Sequence, residues 1–430
     1  MQNKILDING FFGILILLIT FICSQSISFL WVFKIFHSNI ESFLKFFCTI
    51  LCIFIVFWRF IINRNKCNLS KIETLIVIFT VITLISKLII KSTDVIDYAH
   101  PIVFCLNILS ITTIISYSEN HDQLTNYLFV SIITLALLQM FYLFFTTPIL
   151  QNIRNISHVT YSEILPSSTH NPNRMGIIAL TGAICSLYMY NLYFKTKKKF
   201  NITFLIFFAI FVFFITISGS RSSLLGISVA TIAFVIIKFI ENTDIENESK
   251  GNTITLQLVL MIISIIIVMI ILVVTGVLQN FIEKFNNNGL SHRDIIWETF
   301  LKEQLNSFPN ASFFFGQGYH KFKNPYWPEH ANMHNFFLEI WGRHGLISAL
   351  LITLLIIHSL YNHIKIKPLR INIPFLIAFI FVNIFESNFY TRIFTIDNQV
   401  FFFIAILGYY YKHKDIQQKN NYRFDSINSQ

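Results

Sequence analysis

Charge is scarce in this 430-residue sequence: only 13% of its residues are Asp, Glu, Lys or Arg, where a water-soluble domain carries about 25%. Hydrophobic residues make up 54%, and the mean hydropathy is +0.62. That excess argues against an ordinary soluble domain. Strict apolar–polar alternation, which a membrane β-barrel needs, is absent; the apolar runs are continuous. There is no internal repeat with a clear period, no low-complexity linker and no cleavable leader. The first apolar run reads as a retained span. Six cysteines are present. Cys23, Cys48, Cys52, Cys105 and Cys185 fall in apolar runs and Cys67 in a short basic loop. The largest polar loop has none, so no disulfide framework is implied. Also missing are a nucleotide-type phosphate loop, a His-Glu-x-x-His zinc helix and an acidic pair suited to a metal-bound nucleotide sugar. No metal and no cofactor is expected.

What is present is a series of apolar runs near the length of a bilayer crossing. Helices satisfy their own backbone in lipid, so the expected fold is an all-α polytopic membrane bundle. Twelve spans are read, at 11–33, 43–62, 72–90, 99–117, 125–147, 174–194, 200–218, 222–240, 255–278, 334–358, 372–390 and 396–411. Residues 1–412 thus form the membrane domain, with outer loops at 148–173 and 279–333, and 413–430 form a polar tail. The formal charge of +10 does not call for nucleic acid, because basic residues of membrane proteins collect in cytoplasmic loops. Here they gather at Arg64, Lys66 and Lys71, in Lys195 to Lys199, at Lys365, Lys367 and Arg370, and in the tail. With twelve spans these fall on one side, so both termini are expected on the cytoplasmic side of the membrane. The partner expected first is the bilayer.

On this topology the large loop 279–333 faces outward. It holds five Lys/Arg and five Asp/Glu. It is too long for a plain connector, and its aromatics argue against disorder. A short helix is expected over 291–306. Three spans also open outward with polar clusters. The sixth has His170, Asn171, Pro172, Asn173 and Arg174, with Asn173 as a candidate N-cap. The eighth has Ser218-Gly219-Ser220-Arg221. The tenth has His334-Asn335, with Glu339 one turn on. Free N–H groups at a helix start favour an anion, and an arginine beside them offers a planar fork matched to phosphate oxygens. His334 has the natural chemistry of a general base. Each cluster also has a plain structural reading. Ser220 and Asn335 cap helices, Arg221 snorkels, and Arg293 pairs locally with Asp294. Glu386 and Arg392 flank the end of the eleventh span and either pair together or help close the site. An outward arginine-rich site with one candidate base suits a donor that already carries a good leaving group. A transporter of lipid-linked oligosaccharide is the reading from another class. It would place charges through the bundle midplane, whereas here the polar clusters sit at helix ends.

These residues are similar to those of the O-antigen ligase and O-antigen polymerase superfamily of bacterial envelope glycosyltransferases. The resemblance rests on the turn ending at Arg221, on Arg293 to Trp297, on Gly316-Gln317-Gly318, and on His334-Asn335 followed by Leu338, Glu339, Gly342 and Gly345. It covers about residues 165–350. It implies an inverting, metal-independent glycosyl transfer from an undecaprenyl-pyrophosphate-linked donor. Arg221 and Arg293 would hold the pyrophosphate and His334 would activate the acceptor hydroxyl. The acceptor would be a lipid-linked glycan for a polymerase, the reading preferred here, or lipid A-core for a ligase. Ser220, His170, Asn171, Asn173, Arg174, Asn335 and Glu339 are the candidate supporting residues.

Overall fold

In the computed structural model, the described residues are 38–62, 70–118, 121–146, 172–195, 201–218, 220–243, 293–318, 322, 333–386 and 397–410. Among them every regular element is a helix. The amino-terminal group is α1 (Ser38–Ile62), α2 (Lys71–Ile89), α3 (Val95–Tyr117) and α4 (His121–Thr146). Then come α5 (Pro172–Lys195), α6 (Asn201–Ser218) and α7 (Arg221–Thr243). The large loop contributes α8 (Arg293–Asn306) and the short α9 (Ala311–Phe315). The last group is α10 (Phe336–His344), α11 (Leu346–Lys365), a 3-10 turn over Lys367–Asn372, α12 (Ile373–Phe385) and α13 (397–410).

Six of these helices are long and apolar enough to cross a membrane: Lys71–Ile89, Val95–Ser116, His121–Phe141, Met175–Tyr193, Arg221–Ile240 and Leu346–Lys365. The expected spans 11–33 and 255–278 lie outside the described residues, as do most of the loop 148–173 and the tail 413–430. The helix expected over 291–306 is present as α8.

The bundle is centred on α5, whose span is 89% buried against 39–61% for the other five. Small residues let its neighbours close in. A Cβ on Gly182 would lie 2.6 Å from the Phe211 ring of α6, and one on Gly176 would lie 2.4 Å from Ser220 Cβ at the start of α7. On α7, Gly226 admits Val382 of α12 and Leu180 of α5, whose methyl carbons would be 2.8 and 3.1 Å from an added Cβ. The amino-terminal group is tied at one end by Glu73. Its buried carboxylate pairs with Arg59 and accepts bonds from Ser70 N at 2.6 Å and Thr112 Oγ1 at 2.8 Å. Deeper in, Gln399 Nε2 of α13 donates to Asn107 Oδ1 of α3 at 2.9 Å, and Phe379 stacks on Phe401 at 4.1 Å.

One expected span is corrected. Residues 334–358 do not form a single helix; the chain breaks at Gly345, with φ +89°, between α10 and α11. The cause is a crossing strand of loop. Gln317 N donates to Gly342 O at 2.8 Å and Gly318 N to Arg343 O at 3.1 Å. Trp341 Nε1 donates to Phe313 O at 3.0 Å. The loop thus satisfies carbonyls that a continuous helix would have used internally. The fit is so close that a Cβ on Gly345 would stand 1.9 Å from Phe314 O.

Gly345→Ala therefore meets both a forbidden φ and a backbone clash. It should cost at least about 2 kcal/mol, read as a lowered melting temperature of the detergent-solubilised protein; an unchanged melting temperature would contradict this account of the break.

Candidate functional site

Five helix ends meet at one end of the bundle: the starts of α5, α7, α8 and α10, and the finish of α12. Each places a polar side chain by a local device. At the start of α7, Ser220 is buried and its carbonyl accepts from Leu224 N at 3.0 Å. Its hydroxyl donates to Ser223 Oγ at 2.9 Å, and its own N–H donates to Ser218 Oγ at 3.3 Å. This serine mesh fixes the turn and leaves Arg221, half-buried, as the first helical residue. In α8, Ile296, Phe300 and Gln304 are buried at successive turns. Phe300 meets Phe322 and Trp341 edge-on at 5.9 and 5.6 Å. That apolar face sets the rotation of α8 and aims Arg293 inward.

At α10, Asn335 is the N-cap: its Oδ1 accepts from Leu338 N at 3.0 Å while its Nδ2 donates to Ile384 O of α12 at 3.1 Å. The preceding residue, His334, has φ +50°, a conformation that costs a non-glycine residue about 1–3 kcal/mol. It is held from both sides. Asn335 is anchored as described, and Met333 is gripped through both backbone groups. Met333 N donates to Glu339 Oε2 at 2.8 Å, and Met333 O accepts from Trp297 Nε1 at 2.9 Å. Glu339 is buried and pairs with Arg343 Nη2 at 2.5 Å. Burial pushes its carboxyl above the usual range, against the opposing pull of Arg343 and the Met333 N–H.

The residue at the centre of this meeting is Glu386, which ends α12. Its Oε1 accepts from Arg293 Nη2 at 2.7 Å and from Asn173 Nδ2 of α5 at 2.8 Å. Its Oε2 lies 3.7 Å from His334 Nδ1. Arg221 completes the group, close enough to feel the charge of Arg293. The side chains of Glu386 and Arg293 are 6% and 11% exposed, that of His334 31%. The histidine therefore stands at the mouth and the carboxylate behind it. Two guanidiniums gathered at helix starts offer planar donor forks, a setting suited to the oxygens of an anion.

Four of the residues predicted from sequence are thus gathered around or beside one carboxylate: Arg221, Arg293, His334 and Asn173. Ser220, Asn335 and Glu339 lie in the supporting layer. His170 and Asn171 lie outside the described residues, as does Arg392, and Arg174 is described only in its backbone. Two local expectations are corrected. Asn173 is not an N-cap, because the helix already begins at Pro172; its side chain instead reaches Glu386. Arg293 pairs with Glu386 across 93 residues of sequence rather than with Asp294. The sequence signal for Glu386 was slight: one acidic residue closing a strongly apolar helix at the end where the arginines gather.

Comparison with known proteins gives one family. Residues 206–353 match the family described as O-antigen ligase, which supports membership of the O-antigen ligase and polymerase superfamily. The match contains Arg221, Arg293, His334, Asn335 and Glu339 and stops short of Glu386. No curated protein and no solved structure matches the chain.

The Glu386 hub makes a prediction that needs no substrate. Glu386→Gln leaves Arg293 without its counter-charge and should destabilise by about 1–3 kcal/mol. Glu386→Gln combined with Arg293→Gln should cost less than the sum of the two single changes. Thermal unfolding of the four proteins in detergent measures this; strictly additive losses would mean that the pair is not coupled.

Proposed function

We propose, from the premise of an O-antigen ligase domain at residues 206–353, that this chain is a membrane glycosyltransferase. It uses an undecaprenyl-pyrophosphate-linked glycan on the outer face of the inner membrane. The observation that carries this reading is the meeting of Arg293 and His334 on Glu386, with Arg221 beside them. Both arginines lie at helix N-termini, where the backbone adds further positive potential.

In this reading the pyrophosphate is held by Arg221 and Arg293, which offset the charge that grows on it as its bond to the sugar breaks. The sugar's anomeric carbon is then presented toward His334. His334 takes the proton of the acceptor hydroxyl. The freed oxygen electron pair forms the new bond to the anomeric carbon from the face opposite the pyrophosphate. The old carbon–oxygen bond breaks, and its electron pair leaves with undecaprenyl pyrophosphate, so the anomeric configuration inverts. Glu386 sits on the Nδ1 side of the ring, 3.7 Å away; in this reading Nε2 takes the proton and the carboxylate stabilises the imidazolium that forms. The donor set around the site, two guanidiniums, an amide and an imidazole with one carboxylate, suits an anion better than a divalent cation, and the proposed reaction needs no metal.

The acceptor defines two readings. As a polymerase, the chain would move a growing glycan onto another lipid-linked repeat unit. As a ligase, it would move the finished glycan onto lipid A-core. A deletion strain separates them on a glycan gel. Loss of a polymerase leaves a single repeat unit on the core, whereas loss of a ligase leaves no surface polymer and accumulates lipid-linked chains. The orientation with both termini in the cytoplasm follows from the basic loops and belongs to this proposal.

His334→Ala should reduce glycan transfer in membrane vesicles by at least about a hundredfold, the scale of a lost general base. Arg221→Lys should lose much of the activity, because an ammonium cannot reproduce the two-pronged contact. Near wild-type transfer by His334→Ala would refute its role as base, and by Arg221→Lys would refute bidentate pyrophosphate binding.

A further inference from the structure

The amino-terminal helices contributed only topology to the functional reading, yet they carry a buried lysine that reaches the site's scaffold. We propose that Lys87 is a positioning residue for glycosyl transfer, acting through α10 on His334; the inference rests on the function proposed above for His334.

Lys87 is in the last turn of α2 and is 0% exposed. Its Nζ donates to the carbonyl of Arg343, 256 residues away in sequence. That carbonyl belongs to the last turn of α10, just before the Gly345 break, and it also accepts from Gly318 N at 3.1 Å. A helix ends in carbonyls without intrahelical partners and with a partial negative charge. Here the end is buried, so water cannot serve it. The ammonium supplies both a donor and the complementary charge. Asp97, the third residue of α3, provides the counter-charge near Lys87 and is held by the hydroxyl of Ser92. The third side is closed by backbone: a Cβ on Gly318 would lie 2.6 Å from Asp97 Oδ2. Lysine, aspartate and the Gly316-Gln317-Gly318 crossing therefore form one packed seat for the end of α10.

The other end of α10 is the Asn335 cap, with His334 directly before it. Nine residues of helix make a strut only about 13 Å long. Inside the strut, Arg343 pairs with Glu339, and Glu339 accepts from Met333 N. A continuous path of bonds thus runs from Lys87 through Arg343 and Glu339 to the residue preceding His334. A tilt of α10 at its seat moves the ring against Glu386, where the present separation is 3.7 Å. Arg221 sits on α7 and Arg293 is tethered to Glu386 at the end of α12, so each keeps an anchor outside α10. Loss of Lys87 should therefore damage the chemical step while leaving donor binding in place.

The test is steady-state kinetics of the purified full-length protein in proteoliposomes. The donor is a polyprenyl-pyrophosphate-linked oligosaccharide, and rates are normalised to folded protein. Lys87→Met should lower kcat at least about tenfold with the donor KM within about twofold. Lys87→Arg, which can still donate to the Arg343 carbonyl, should recover much of the loss. A kcat near wild type for Lys87→Met would overturn the proposal, as would a loss confined to KM or a failure of Lys87→Arg to rescue. If Lys87→Met does not accumulate, Lys87→Met with Asp97→Asn removes the charges as a neutral pair and is measured in its place; failure of that protein to fold as well would overturn the proposal by placing Lys87 in the fold alone. Absence of transfer by the wild-type protein would instead refute the functional reading, so the two failures are told apart.

Discussion

The carboxylate of Glu386 is the constraint on which the site depends. It closes α12, which packs against α7 where Gly226 admits Val382. From there one oxygen binds Arg293 and Asn173 while the other faces His334. Segments far apart in sequence are held in one place by a single acidic group. Burying such a group is expensive unless it is paired and hydrogen-bonded. Its partners are therefore positioned by the same interaction that they make tolerable.

Around this hub the polar groups fall into layers of different purpose. His334 is partly exposed, with the arginines nearby. Asn335, Glu339 and the backbone of Met333 hold the histidine in a backbone conformation it would not choose. Behind them the loop 313–318 and the amino-terminal helices seat the far end of α10. Among the described residues every buried Asp, Glu, Lys or Arg except Lys238 lies in an end turn or at the cap of its helix. This arrangement favours a reaction at one face over a path through the midplane.

Much of this was legible in the sequence because hydropathy and helix-end chemistry are local. The span read at 72–90 is Lys71–Ile89, that at 200–218 is Asn201–Ser218, and the loop helix read at 291–306 is Arg293–Asn306. Arg221, Arg293 and His334 were found by residue type and by the expectation that their helix ends face the same way. What escaped was set by contacts across the fold. The Gly345 break hides inside an apolar run, although Gly342, Arg343, His344 and Gly345 in succession mark a weak point. Asn173 looked like a cap because a cap is the local use of asparagine; its real partner is 213 residues away. Lys87 has no such local signal, and only the structure brings the Arg343 carbonyl to it.

The most direct measurement is reconstitution of the purified chain in proteoliposomes with an undecaprenyl-pyrophosphate-linked repeat unit, with and without lipid A-core, in the absence of added divalent metal. The account predicts transfer of the glycan to one of these two acceptors, with inversion at the anomeric carbon and one undecaprenyl pyrophosphate released per bond formed. No transfer to either acceptor by folded protein, or transfer with retained anomeric configuration, would contradict it.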